Sequence, residues 1–417
     1  TTALAGSLHC LKSLTSLDLQ DNRIGRQGAN ALAAGLMSCT LLSSLNLFHN
    51  DMQDEGLESL SQAMESCPAL TALNLGWNSI REDGCYHIAH ILTHCTRIQD
   101  LNICWNEIHD EGMSVVATGL RQILKLRNLN CLHTELGCDG VSMLSSALSN
   151  CEGVECLILG INSVSDSGAM SLARNLEIEN QPGLLALQRL ELHSNNIGSV
   201  GVGALVSGLS LHCTNLHFLG LADNEMGPAG VEWVANALGT LSTLGTLGIG
   251  RNQILPEGAR LLAGALQSFP NMLSHLDLHR NQLGPHGAEW ISGALPYCPA
   301  LTQLNMRDNN IGSDGVQALS QVLSLCKCLR SLLLSENGIG DQGAEHLAEA
   351  LPDIPTLKSL DLRYNSIGAR GAGSLAKVLQ FVPNLSYLNL ENNGLVFGGG
   401  LELQESIQNP GLELHWS

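Results

Sequence analysis

One phrase returns through the whole chain, and its period decides what the chain can become. Leu14-Thr-Ser-Leu17-Asp-Leu19-Gln-Asp-Asn22-Arg-Ile24-Gly25 recurs from Leu42 to Asn50, from Leu70 to Asn78 and from Ile98 to Asn106. The asparagine position then falls at Thr134, Asn162, Asn195, Asn224, Asn252, Asn281, Asn309, Asn337, Asn365 and Asn393. Ten of the thirteen steps are 28 residues, two are 29, and one, between Asn162 and Asn195, is 33. Six residues after each such position stands a glycine, from Gly28 through Gly399. Ten and fourteen residues after it stand apolar side chains, such as Leu32 and Leu36 or Leu319 and Leu323. A period of this length marks a stack of units, each burying its apolar layer only against its neighbours.

The phrase itself predicts the unit. L-x-x-L-x-L is a short strand whose leucines alternate inward. The asparagine turns the chain, and its buried amide can satisfy backbone groups that no ladder reaches. Gly-x-x-x-Leu-x-x-x-Leu has the i, i+4 spacing of a helix with one buried stripe. Strands then stack in parallel on one side and helices on the other. Helices are wider than the strand spacing of about 4.8 Å, so the stack must curve. The expected class is α/β: a curved solenoid with a parallel sheet on its concave face and helices on its convex face.

Composition agrees. Aromatic residues make up only 3% of the 417-residue chain; a single globular core of that size would carry more, and thin repeat layers need few. The net charge of −19 argues against nucleic acid or an anionic membrane, whose binding rests on clustered Lys and Arg, and favours a basic protein partner. No apolar run approaches the roughly 18 residues that span a bilayer, and no charged-then-apolar leader opens the sequence. Eleven residues before the asparagine position stands Cys39, Cys67, Cys95, Cys151, Cys213, Cys298 or Cys326, alternating with Leu11, Ile123, Leu184, Leu241, Pro270, Ile354 and Val382. Interchange with aliphatic residues marks a small buried hydrophobe rather than a disulfide half. Free thiols of that kind point to a reducing, cytoplasmic compartment.

The whole of 1–417 reads as one repeat domain: 1–13 the end of a truncated preceding repeat, 14–400 fourteen repeats, and 401–417 a C-terminal cap. Leu4 and Leu8 fall on the two buried helix positions, so the stack opens in mid-repeat, and a preceding segment is expected. At the other end, Leu412-Glu-Leu414-His-Trp416 is expected to add an edge strand, with Trp416 over the last layer. The long step near Gln181-Pro182-Gly183 reads as a surface insertion in one helix-to-strand loop.

L-x-x-L-x-L-x-x-N-x-I-G-x-x-G-x-x-x-L-x-x-x-L at period 28 resembles the ribonuclease-inhibitor-like class of leucine-rich repeats, over essentially the whole chain. The unbroken I-G-x-x-G phrase is most similar to the repeats of NOD-like receptors. The resemblance implies a non-catalytic scaffold or ligand-sensing domain that grips a macromolecular partner on its concave face. It leaves open a regulator of an enzyme (a small-GTPase activator or a nuclease inhibitor) and a structural subunit of a large assembly. No G-x-x-x-x-G-K-[ST] phrase and no G-x-S-x-G elbow is present, and neither catalysis nor a cofactor is expected.

Partner contact is expected from the residue before each asparagine. In chain order this column reads Asp21, His49, Trp77, Trp105, His133, Ile161, Ser194, Asp223, Arg251, Arg280, Asp308, Glu336, Tyr364, Asn392. Neighbours lie on adjacent strands, roughly 5 Å apart. His49, Trp77, Trp105 and His133, joined by Phe48, Leu132 and Ile161, are therefore a contiguous patch of the kind that forms binding hot spots. Arg251, Arg280, Arg307 and Arg363, interleaved with Asp277, Asp308, Glu336 and Asp361, read as a solvated face of weak pairs. His87, His90 and His94 share a helix at spacings that can chelate. Ile88 and Leu92 take the buried positions there, so the histidines are expected to face solvent with no carboxylate behind them, and no metal site is expected. Cys326-Lys-Cys328 is discounted because Cys326 belongs to the buried column. Trp233 and Trp290 are expected to pack partly on neighbouring helices.

Overall fold

The computed structural model describes residues 6–151, 153–176, 183–269, 272–395 and 411–416. They form two compact units: Thr1–Ile197 with Ala204–Leu216, and Gly198–Gly203 with His217–Ser417. In the first, strands β1 (Ser16–Asp18), β2 (Ser44–Asn46), β3 (Ala72–Asn74), β4 (Asp100–Asn102), β5 (Asn128–Asn130), β6 (Cys156–Ile158) and β7 (Arg189–Glu191) alternate with helices α1 (Gly25–Leu36), α2 (Gln53–Met64), α3 (Glu82–His94), α4 (His109–Leu120), α5 (Cys138–Leu148) and α6 (Ser165–Leu176). Helix α7 (Ser199–His212) carries residues of both units. The second unit alternates β8 (Phe218–Gly220), β9 (Thr246–Gly248), β10 (His275–Asp277), β11 (Gln303–Asn305), β12 (Ser331–Leu333), β13 (Ser359–Asp361), β14 (Tyr387–Asn389) and β15 (Glu413–His415) with α8 (Gly227–Ala237), α9 (Leu255–Ser268), α10 (Gly284–Ala294), α11 (Gly312–Leu323), α12 (Gly340–Ala350) and α13 (Ala369–Val378).

Every strand pairs in parallel with the next in its unit, and the expected leucine sets the register. Leu17, Leu45, Leu73, Leu101, Leu129, Leu157 and Leu190 stand opposite one another in order. Leu219, Leu247, Leu276, Leu304, Leu332, Leu360, Leu388 and Leu414 do the same. The 33-residue step is absorbed outside the ladder, since Leu157 still faces Leu190. Of that insertion, 177–182 lie outside the described residues, and Gly183–Ala186 form one 3-10 turn. The C-terminal phrase adds β15 as expected, with Trp416 half-buried. Leu8 is buried; Leu4, Pro270 and the glycine and apolar positions of the last repeat lie outside the described residues.

Helices cover the opposite side of the strands in each unit. Leu32 with Leu36, Ile88 with Leu92 and Leu319 with Leu323 are all fully buried. The repeated glycine lets consecutive helices close in: a Cβ at Gly56 would stand 3.0 Å from Ala29 Cβ and 3.2 Å from the Arg26 backbone of the preceding helix. Helices pack about 8–10 Å apart against about 4.8 Å for strands. That mismatch bends each unit towards its sheet.

The asparagines form a second ladder under the turn. Asn78 Nδ2 donates to the Leu47, Leu75 and Gly76 carbonyls, while its Oδ1 accepts from the Asn50 and Met52 amides. One buried amide thus satisfies five backbone groups, two of its own repeat and three of the preceding one. Asn106, Asn309, Asn337 and Asn365 repeat the pattern of three donated bonds. At Thr134 the hydroxyl reaches one backbone carbonyl, that of Cys131, and the Asn162 side-chain oxygen at 3.4 Å.

No disulfide joins the cysteines. In the column before each strand, Cys67 and Cys95 give weak S–H bonds to the carbonyls of Cys39 and Cys67 in the preceding repeat. Ile123, Leu184, Leu241, Ile354 and Val382 are buried at the same position. Leu11 departs from the column: it is exposed.

Candidate functional site

The column before the asparagines has a backbone the sequence does not announce. All fourteen residues, Asp21 through Asn392, hold a left-handed φ between 50° and 60°. No glycine occupies the position. Twelve of these amides continue the ladder past the strand into the next repeat, as Trp77 N–H donates to Cys104 O and Trp105 N–H to Leu132 O, both at 2.8 Å. The left-handed turn costs an L-residue about 1–2 kcal/mol. It directs the side chain away from the leucine layer, whatever that side chain is.

In the first unit this turn builds a stack of rings. His49 lies on Trp77 at 4.6 Å between centroids, Trp77 on Trp105 at 5.3 Å with planes 20° apart, and Trp105 on His133 at 4.2 Å. Phe48 meets Trp77 edge-on at 6.1 Å. It spreads over Gly76, where a Cβ would come within 2.9 Å of the Phe48 ring. Of the residues expected to make the patch, Trp77 (47%), Trp105 (36%), Ile161 and His49 are exposed, and Phe48, Leu132 and His133 are half-buried. Since each indole face is covered by the next ring, the stack shows solvent its edges. Neither indole N–H has a partner among the described residues.

A hollow lies on each side of this ridge. Towards the strands, a hollow of about 330 Å³ is lined by the outward residues of β2 to β6. On its floor Asn74, Asn102 and Asn130 each accept a bond at Oδ1 from the backbone amide two residues on. That fixes the amide's orientation and turns each Nδ2 outward as a donor. On the other side a hollow of about 250 Å³ brings Glu107 and Glu135 beside Trp77, Trp105 and His133. Across the outward strand and turn positions of β1 to β6 stand the carboxylates Asp18, Asp21 and Asp100, and no Lys or Arg. Asp21 is held by His49 Nδ1 at 2.5 Å.

The second unit's sheet face is different. Arg251 pairs with Asp223 at 3.2 Å, Arg280 with Asp308 at 2.7 Å, Arg307 with Glu336, and Arg363 with Asp361 at 2.8 Å. The arginines are therefore neutralised in place, Arg251 and Arg280 in exposed pairs of the weak kind expected, whereas Arg363 holds a buried Asp361 through both of its carboxylate oxygens. Trp233 is half exposed and rests against Gly203, and Trp290 is exposed to the same degree. Cys326 is buried and Cys328 exposed, so the two thiols do not face one site.

The histidines of α3 require a correction. They face outward over buried Ile88 and Leu92, as expected. A carboxylate does stand with them: Glu65, from the end of α2, lies 3.3 Å from His90 Nε2. It escaped the sequence reading because it comes from the neighbouring repeat, 25 residues away. Burial meanwhile pushes the column thiols up, Cys67 to about 11 and Cys95 and Cys213 to about 12.

Among known proteins, the sequence profile of the Leucine Rich repeat family matches 10–33, 38–61, 66–89, 94–117, 186–206, 212–235, 297–320, 325–348 and 354–376, together about half of the chain. A ribonuclease inhibitor of Mus musculus is 35% identical over 81 residues; that stretch is 19% of this chain and spans only 18% of that relative. Among solved structures, a leucine-rich-repeat protein of Leptospira interrogans superposes with a TM-score of 0.51 at 19% identity, over 100% of this chain and 99% of that one. A structure of the yeast Rad7 and Elc1 complex matches at a TM-score of 0.46 and 17% identity, over 99% of this chain and 88% of that one. No described helix is long and apolar enough to cross a membrane.

Proposed function

Because this chain belongs to the leucine-rich-repeat family, we propose that it is a non-catalytic interaction scaffold that binds a basic protein segment on the sheet face of its first unit. The observation that carries this reading is the exposed ring ladder His49–Trp77–Trp105–His133, with Glu107 and Glu135 beside it and one cation close by, Arg81, already paired with Glu107. A rigid tryptophan ridge offers large contact area at little ordering cost, which is the usual composition of a binding hot spot. Its covered ring faces leave N–H and C–H edges to the partner, so backbone carbonyls fit the ridge itself. The outward amides of Asn74, Asn102 and Asn130 supply more donors for carbonyls. Glu135 and Asp100 suit the Lys or Arg side chains on either side, Glu107 being held by Arg81. Phe48, Leu132 and Ile161 extend the apolar contact. The reduced thiols support a cytoplasmic setting.

The test is a partner captured from the native source and measured quantitatively against variants. Trp77→Ala and Trp105→Ala should each weaken binding by roughly 30-fold or more, the scale of a hot-spot residue, with helical circular dichroism unchanged. The affinity should also fall with added salt, as charge pairing across the contact requires. Undiminished binding in the double variant, or unfolding that accompanies the loss, would overturn the proposal.

A further inference from the structure

We propose that Glu65, His90 and His94 form a binding site for a zinc-class divalent cation at the outer ends of α2 and α3. Three kinds of observation support it: ligand type, spacing and preorganisation. One ligand atom from each of the three side chains lies within 4.8 Å of the other two. Glu65 Oε1 and His90 Nε2 are 3.3 Å apart. Tetrahedral zinc with bonds of about 2.0–2.1 Å sets its ligand atoms about 3.3 Å from one another. His90 and His94 stand one helical turn apart with ring centroids 4.4 Å apart, so both nitrogens reach the same point beside Glu65.

The second coordination sphere is already in place on His94. Its Nδ1 lies 2.9 Å from the His90 carbonyl oxygen, and donating there puts the proton on Nδ1 and leaves Nε2 a bare lone pair. That arrangement orients metal-bound histidines generally. Thr93 Oγ1 donates to the same carbonyl at 2.7 Å and lies 3.2 Å from His94 Nδ1, which fixes the ring further. At His90, Nδ1 is buried without a partner among the described residues, and the carboxylate of Glu65 faces Nε2, whose proton a cation would displace. Nε2 is the atom aimed at the carboxylate. Glu65 and His94 are exposed and His90 half-buried, which leaves the fourth position to water. Two imidazoles and one carboxylate favour zinc over calcium or magnesium, which prefer all-oxygen shells.

The experiment is calorimetric titration of the metal-stripped, reduced chain with zinc chloride, in parallel with Glu65→Gln, His90→Gln and His94→Gln. The chain's other histidines and thiols take part equally in all four proteins, so the readout is the difference. The wild type is expected to bind one equivalent that each variant loses or binds at least tenfold more weakly, since even outer-sphere changes cost about 10–100-fold. Zinc should raise the melting temperature of the wild type more than that of any variant. If His90→Gln disturbs the fold, the two exposed positions decide. Equal stoichiometry and affinity in wild type, Glu65→Gln and His94→Gln would overturn the proposal and reduce the cluster to a histidine–carboxylate contact.

Discussion

At Ile161 the chain holds a β-branched side chain at a φ of 53°, where L-residues are strained and Asn is tolerated best. Ile161→Asn should therefore raise stability by about 1 kcal/mol in denaturant titration, while weakening partner binding if the apolar contact there is used. The two effects of opposite sign separate scaffold from surface at one position. Beneath the turn, Asn78→Ala would strand five backbone groups at once. Unsatisfied buried groups cost about 1–3 kcal/mol each and water recovers part of this, so a net loss of about 2–4 kcal/mol is expected. Thr134→Asn should run the other way and gain about 1 kcal/mol by completing the ladder. The asparagine position was legible in the sequence because its residue type answers a local demand. The left-handed column was not, because Asp, His, Trp, Ile, Arg and Tyr all occur in it. Its geometry accompanies amides of one repeat bonding to carbonyls of the next, and residue preference does not record that.

Elements pack here through backbone proximity as much as through side chains. Gly119 in α4 faces α3 so closely that a Cβ would stand 2.9 Å from the Ala89 carbonyl oxygen and 2.9 Å from Leu92 Cβ. Gly119→Ala should cost about 1–3 kcal/mol, the usual penalty of overpacking. Gly264 is also a helical glycine, in α9, but nothing stands within 4 Å of its Cβ position. Gly264→Ala should stabilise by about 0.5–1 kcal/mol through helix propensity alone. Thermal melts of the two variants would check both signs. Strand and helix positions followed from period 28, since the same spacing that stacks leucines in sequence stacks them in space. The packing of rings over glycine was hidden: Phe48 over Gly76, His193 over Gly160 and His279 over Gly250 pair a large residue with a glycine of an adjacent repeat. Glu65 beside His90 was hidden for the same reason, since neither side chain lies on a repeated column.

Across the molecule, fourteen cysteines sit in a chain whose layers are too thin for many aromatic residues. Burial raises the thiols of Cys67 and Cys326 to about 11 and of Cys85, Cys95 and Cys213 to about 12, from an ordinary 9.0. A folded value above the unfolded one means stability is complete below the unfolded value and is lost as pH rises through the folded one. The thiols' contribution to stability should therefore be constant below about pH 9 and fall towards 11–12, checked by denaturant titration from about pH 8 upward under reducing conditions. Replacing Cys67, Cys95 and Cys213 together with Val should flatten that fall. At about pH 8 a thiol reagent should label exposed Cys10 and Cys328 first and the buried column only on unfolding.

The left-handed turn has one more consequence. Aspartate, tryptophan, arginine and tyrosine all sit at the same dihedral angle on the same ladder, so the backbone is indifferent to which of them is present. Specificity in such a molecule can be rewritten one letter at a time, without renegotiating the architecture beneath it.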